Sequence, residues 1–256
     1  MTLMTERDHI TQGYIKTMEL AGIVFQTIGN PESVLSENEK TEITMGALGI
    51  LKVSTGIENR ETKDIQRYTF GLKDRGRVLC VFRDGARIVG FISFHLVNDG
   101  EKYLRFGGST VLHAGSGHIL PEYQGNRLWQ HATNEFLSSL PGDLRPRYME
   151  GFTQSPVFLH LFTLINRGRI YPKPNNEDVE DLAEIQGEIL QAILRDFSPD
   201  VTVCKRCVVR GIGSRVYNMR IHDRDNRFND LFYKELGVMP EEGDFVHFVA
   251  EMPDRF

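Results

Sequence analysis

Residues 121 to 129, "PEYQGNRLW", and residues 204 to 207, "CKRC", are two short stretches whose residue types and spacing could do chemistry. The first lies between a β-rich stretch, "STVLHAGSGHIL", and "WQHATNEFLSSL", whose apolar residues recur at helical spacing. The opening N–H groups of a helix have no partner inside it, and with the helix dipole they suit phosphate oxygens. Gly125 lets a ligand approach the backbone. The second stretch could hold zinc or cycle as a dithiol. Zinc needs two more ligands at matching spacing, and no second such pair occurs. Read as one strand, "VTVCKRCVVRG" sends residues three apart to opposite faces, so two structural thiols and no metal are expected.

The elements around the loop follow from periodicity. "GIVFQTIG" reads as the opening strand, and "SENEKTEITMGALGILKV" and "ETKDIQRYTFGL" have helical spacing. "RVLCVFRDGARIVGFISFHLV" is two Val/Ile/Phe-rich runs joined by Asp84-Gly85, a dipeptide suited to a tight antiparallel hairpin. "STVLHAGSGHIL" gives a third strand. After the loop, Leu128, Trp129, Ala132, Phe136 and Leu140 define a helix that stops at Pro141-Gly142. "RYMEGF" is a short strand, and "SPVFLHLFTLIN" a helix with Ser155 as N-cap and Pro156 at its first position.

A long amphipathic helix follows, with Val179, Leu182, Ile185, Ile189, Ile193 and Phe197 on one face; it reads as packing rather than chemistry. The cysteine strand, the polar "NMRIHDRDN", a short helix "RFNDLFYKELG" and a closing strand "DFVHFVAEM" complete the chain. No repeat or low-complexity tract argues for separate domains, so residues 1–256 are expected to form one domain. Its core spans about 77–172, with the N-terminal strand and helices at 1–76 and the C-terminal helix and strands at 173–256.

Composition excludes several function classes. The chain has 256 residues, 40% hydrophobic and 25% charged, and a net charge of -5 that leaves no basic surplus for tracking a phosphate backbone. Nucleic acid is not expected as a partner. No apolar run approaches the roughly 18 residues that a membrane span needs, and "MTLMTERDHI" lacks the apolar centre of a signal peptide. With only three cysteines, this reads as a cytoplasmic protein without a membrane partner; its oligomeric state stays open.

The order strand, "LPEYQGNRLW", amphipathic helix, strand, helix resembles the acyl-CoA-binding segment of the GCN5-related N-acetyltransferases over roughly residues 77 to 172. That family carries Gln or Arg, two residues, Gly, one residue, then Gly or Ala, after a hydrophobic-x-Pro at a strand end. Ile119-Leu120-Pro121 supplies the lead and Gln124 the first polar position; Arg127 and Trp129 stand where the small residues would be, and Gly125 is the loop's small residue. The resemblance implies an α/β (α+β) fold with a mixed, mostly antiparallel sheet flanked by helices, plus a C-terminal helical extension. It implies acetyl-CoA or another acyl-CoA as co-substrate, held by Ile119, Leu120, Gln124, Gly125, Asn126, Arg127 and Leu128. In such enzymes the pantetheine pairs with the strand edge, here near Leu120, where a backbone N–H polarises the thioester carbonyl.

The reaction so implied is direct acyl transfer to a small-molecule or side-chain amine, with a base removing the ammonium proton. His118, at the end of the strand before the loop, and Glu150, in the strand after it, are the candidate bases. The family's tyrosine acid is missing from "SPVFLHLFTLIN", whose one titratable residue, His160, reads as a packed histidine. Tyr233 in "LFYKELGV" is a substitute candidate. The altered loop and missing tyrosine leave a second reading: a protein of the same fold that binds an acyl thioester or a partner without acetylating an amine.

Overall fold

The computed structural model describes residues 13–56, 62, 66, 77–96, 105–106, 109–140, 145–175, 179–197, 202–210 and 220–253. The chain divides into two compact units, with the boundary inside strand β6 (Ser109–Ile119), between His113 and Ala114.

The first unit is built on antiparallel strands β1 (Tyr14–Leu20), β2 (Ile23–Gly29), β3 (Arg77–Asp84) and β4 (Arg87–Leu96), each paired to the next. The two-residue turn is Gly85-Ala86, one position later than the Asp84-Gly85 reading: Asp84 still pairs with Arg87, and Gly85 takes φ 56 at the first turn position. The opening strand of the sequence reading is therefore the second, because β1 precedes it. β1 is mostly exposed, and without a buried face it carries little alternation to read. Residues 114–119 of β6 add to β4, with the Leu120 amide donating to the Val89 carbonyl at 2.9 Å.

A short helix α1 (Pro31–Val34) leads into α2 (Glu37–Thr55), which starts at a full capping box: Glu39 N–H donates to Ser36 Oγ, and Ser36 N–H to Glu39 Oε2 at 2.8 Å. Helix α3 (Leu128–Ser139) follows the loop. His118 touches Ser54 of α2, whereas Gly117 lies under Trp129 of α3. Adjacent strand residues point to opposite faces, so α2 and α3 cover opposite faces of this sheet.

The second unit contains β5 (Arg105–Phe106), residues 109–113 of β6, β7 (Tyr148–Thr153), α4 (Pro156–Ile165), β8 (Ile170–Tyr171), α5 (Glu180–Phe197), β9 (Thr202–Lys205), β10 (Val208–Arg210), α6 (Asn226–Asp230) and β11 (Asp244–Glu251). β11 pairs antiparallel with β7 and β10, and β9 with β10. Two cross-links of equal offset, Arg147 N–H to the Thr110 carbonyl and His113 to Glu150, set β7 parallel to β6. The sheet is therefore mixed and mostly antiparallel, as the resemblance implies. α4 packs Phe162 against Phe248, while α5 brings Gln186 to His247 on the opposite face.

Two local readings change. "VTVCKRCVVRG" is a hairpin, β9 and β10 joined at Arg206-Cys207 with Arg206 at φ 46, so Cys204 lies in β9 and Cys207 in the turn, and they do not share a strand. Cys207 is buried, and burial pushes its thiol up to about 12. Ser155 occupies the N-cap position without a side-chain cap bond; instead its N–H takes Thr153 Oγ1. "ETKDIQRYTFGL" lies outside the described residues, apart from positions 62 and 66.

Candidate active site

The loop begins with a single 3-10 turn over Pro121–Tyr123. It is tied to the β3–β4 hairpin by Tyr123 Oη donating to Asp84 Oδ2 at 2.6 Å and by Arg87 pairing with Glu122. Gln124 turns its amide back onto the Ile119 carbonyl at 3.0 Å. Gly125 follows at φ 89, where a Cβ would meet nothing within 4 Å but would strain the backbone. Arg127, at φ 55, is the N-cap of α3 and makes no side-chain cap. Leu128 is buried, so only its backbone is placed for a ligand. A cleft of about 460 Å³ opens here, lined by Leu20, Ile23, Asp84, Tyr123, Asn126 and His131 among others.

Trp129 does not project into the loop. Its ring packs edge-on to Phe94 at 5.9 Å and fills the space over Gly117, where a Cβ would lie 2.1 Å from Cζ2. The "GSG" of residues 115 to 117 is thereby explained by packing: Gly115 makes room for Ser93 and Gly117 for Trp129. The Leu120 amide is spent on Val89, so strand alternation puts the Ile119 amide, not that of Leu120, on the opposite edge of β6.

His118 is buried, shares a hydrogen bond with Ser54 through Nδ1 at 3.0 Å and lies against the Phe91 ring. Tyr233 donates its hydroxyl to the Ile221 carbonyl at 2.5 Å, beneath the Arg220 guanidinium; burial pushes its pKa upward. His160 bonds Asp223 at 3.0 Å and stacks on Phe228.

Glu150 has a different environment. It is buried in β7, and its two oxygens go to two histidines: His113 Nδ1 on Oε1 at 2.5 Å and His247 Nε2 on Oε2 at 3.2 Å. Gln186 of α5 closes the chain, its amide N–H donating to His247 Nδ1 at 2.8 Å. Phe152 lies 4.8 Å from the His247 ring and 6.5 Å from that of His113, joined to an apolar cluster of Leu190, Val209 and Phe245. Burial alone would raise the Glu150 pKa. The charge and hydrogen bond of His113, then those of His247, outweigh it and take the carboxyl down to about 2.

An anion so stabilised is a poor proton acceptor near neutrality but a strong anchor for an imidazole. It accepts only, so His113 Nδ1 must donate, and in the neutral ring the lone pair falls on Nε2. The His113 side chain is 36% exposed, against 4% for Glu150 and 0% for His247. His113 is thus the accessible end of the chain. Sequence reading reached Glu150 but not His113 or His247. The available signal was a titratable residue amid apolar strand residues, in "VLHAG" and "FVHFV". Among the described residues no cluster could hold a metal ion, and no helix is long and apolar enough to cross a membrane.

No protein-family model matches this chain, and no curated protein matches it in sequence. Among solved structures, the chain is similar to Arabidopsis thaliana NAA60 in complex with acetyl-CoA, at 11% identity and TM-score 0.41, covering 90% of this chain and 98% of that one. It is similar to the ribosomal-protein-S5-alanine acetyltransferase from Vibrio fischeri at 10% identity and TM-score 0.41, covering 94% and 99%. The GNAT domain of S. lividans PAT gives 11% and 0.41, covering 64% and 92%. These are distant likenesses, and the site is read from its own geometry.

Proposed function

We propose that the protein is a divergent GCN5-related N-acetyltransferase that transfers an acyl group, acetyl first among them, from a CoA thioester to a small-molecule or side-chain amine. The observation that carries this reading is the chain His113–Glu150–His247, set on strands β6, β7 and β11. β6 itself runs on into the loop at 120–128. An ammonium has a pKa of roughly 10 and must lose a proton before it can attack. His113 Nε2 accepts that proton, and Glu150 stabilises the resulting imidazolium without itself being protonated. The free amine forms the new C–N bond, the C–S bond breaks, His113 returns its proton to the departing thiolate, and the second nitrogen proton passes to solvent.

The loop fits a phosphate-bearing ligand on two counts: the open left-handed position at Gly125, and the start of α3, which no side chain caps. Asn126 and the Arg127 guanidinium add polar contacts there, and the outward edge at Ile119 is the segment suited to pair with a pantetheine arm. The acyl-CoA supplies the activated carbonyl; everything else falls to this chain's residues.

Calorimetric titration with acetyl-CoA and with CoA, followed by turnover assays over a panel of amines, tests the proposal. His113→Ala is expected to lower turnover by roughly a hundredfold to ten-thousandfold with CoA affinity within about twofold of wild type. Wild-type rates in a folded His113→Ala protein would reject His113 as the base. Arg127, at the position of a small residue, favours the second reading of a thioester-binding or partner-binding protein; CoA binding with no amine turned over would establish it.

A further inference from the structure

The second oxygen of Glu150 is held by residues that neither bind substrate nor move a proton in the acyl transfer just described. Positions flanking His247 in β11 are apolar and buried, namely Val246, Phe248 and Val249. A buried imidazole and a buried amide cost desolvation there unless their polar atoms are paired. The chain places both and pairs them in series: Gln186 on His247 Nδ1, and His247 Nε2 on Glu150 Oε2. The order of donors puts the His247 proton on Nε2. Among the described residues, the titratable groups facing Glu150 are His113 from β6 and His247 from β11. α5 contributes the neutral Gln186, and β7 the Phe152 ring.

We propose that His247 and Gln186 are positioning residues for His113: by holding Oε2 of Glu150 they keep Oε1 on His113 Nδ1–H, and so keep Nε2 as the basic nitrogen. This rests on the reading of His113 as the base. Truncating His247 removes the donor from a buried carboxylate oxygen, so the carboxyl rotates or takes up a proton. Either response takes away the fixed acceptor that selects the His113 tautomer.

The test is ¹⁵N NMR of the His113 ring in the full chain, at a pH above its titration, for wild type, His247→Leu, His247→Gln and Gln186→Leu. Wild type should show the Nδ1–H tautomer, His247→Leu a mixture of the two, and His247→Gln, which keeps an N–H donor, a return toward wild type. Gln186→Leu should lie between, and it carries the test if His247→Leu does not fold. Turnover should fall roughly tenfold to a hundredfold in His247→Leu, the range for outer partners that orient metal-bound imidazoles, with KM for acetyl-CoA unchanged. An unchanged Nδ1–H tautomer in folded His247→Leu or Gln186→Leu protein would overturn the proposal. The spectra need no amine, so a tautomer shift in a protein that acetylates nothing would count against the acyl-transfer reading and for the positioning role.

Discussion

In the unit that carries the loop, polar side chains are tied down close to the surface and to near neighbours: Tyr123 to Asp84, Arg87 to Glu122, Gln124 to its own strand's carbonyl. In the unit that carries Glu150, a carboxylate, an imidazole and an amide are buried together and bonded in series across β7, β11 and α5. In the proposed site the loop contributes backbone geometry, which Gly125 supplies and Trp129 does not obstruct. The buried chain has no such latitude. Each member satisfies a neighbour that would otherwise be an unpaired polar group away from water.

The largest expected effect of breaking that contrast comes from Glu150→Gln. The folded carboxyl lies near 2 and the ordinary value is 4.5. A depressed folded pKa contributes stability that is complete above about 4.5 and is lost as pH falls toward 2. Removing the charge should destabilise the protein at pH 7 and flatten the stability profile across that acid window. Denaturant unfolding at a series of pH values measures both, and an unaltered slope below pH 4.5 would show that the buried chain does not depend on the anion.

In the other unit, Gly117→Ala should cost about 1–3 kcal/mol, because the new methyl meets the Trp129 ring and the helix must give way. Trp129→Phe in the same chain should recover part of the loss, and the double-mutant coupling energy is the quantity to measure. Gly125→Ala should be milder, about 1 kcal/mol in thermal unfolding, since the position is open and only φ 89 resists the change. Calorimetry should show severalfold weaker acetyl-CoA binding in that variant; unchanged affinity would remove the loop from the site. The smallest effect concerns the thiols. Burial pushes Cys80 and Cys207 up to about 12, so neither should be alkylated by iodoacetamide in the native protein at pH 8, as mass spectrometry of the labelled chain would report.

Much of the architecture is written in local patterns. The Asp84-Gly85 hairpin, the apolar runs of β3, β4 and β11 and the helical spacing after Asn126 each follow from interactions between residues close in sequence, so periodicity alone locates them. The loop was found for the same reason: a strand end, a glycine and a helix start are consecutive. β1 escaped because an exposed edge strand has little alternation to read. The "CKRC" turn was missed because a tight hairpin at Arg206 needs no Gly, Pro or Asn to announce it.

The candidate site divides along the same line. Glu150 stands out as a carboxylate in an apolar strand, and the histidine that its sequence reading sets beside it as the other candidate base is His118, the one nearest the loop. The choice of His113 depends on the parallel register that sets residue 113 beside residue 150, and nothing in either strand's own sequence states that offset. His247 reaches Glu150 from 97 residues away in sequence, and Gln186 comes from a helix whose pattern reads as packing. Element type is determined by neighbours along the chain, so the sequence determined the strands, the helices and the loop. Which ionisable groups share a buried space is determined by long-range pairing, so only the tertiary structure decided that a carboxylate near pKa 2 anchors an accessible imidazole here.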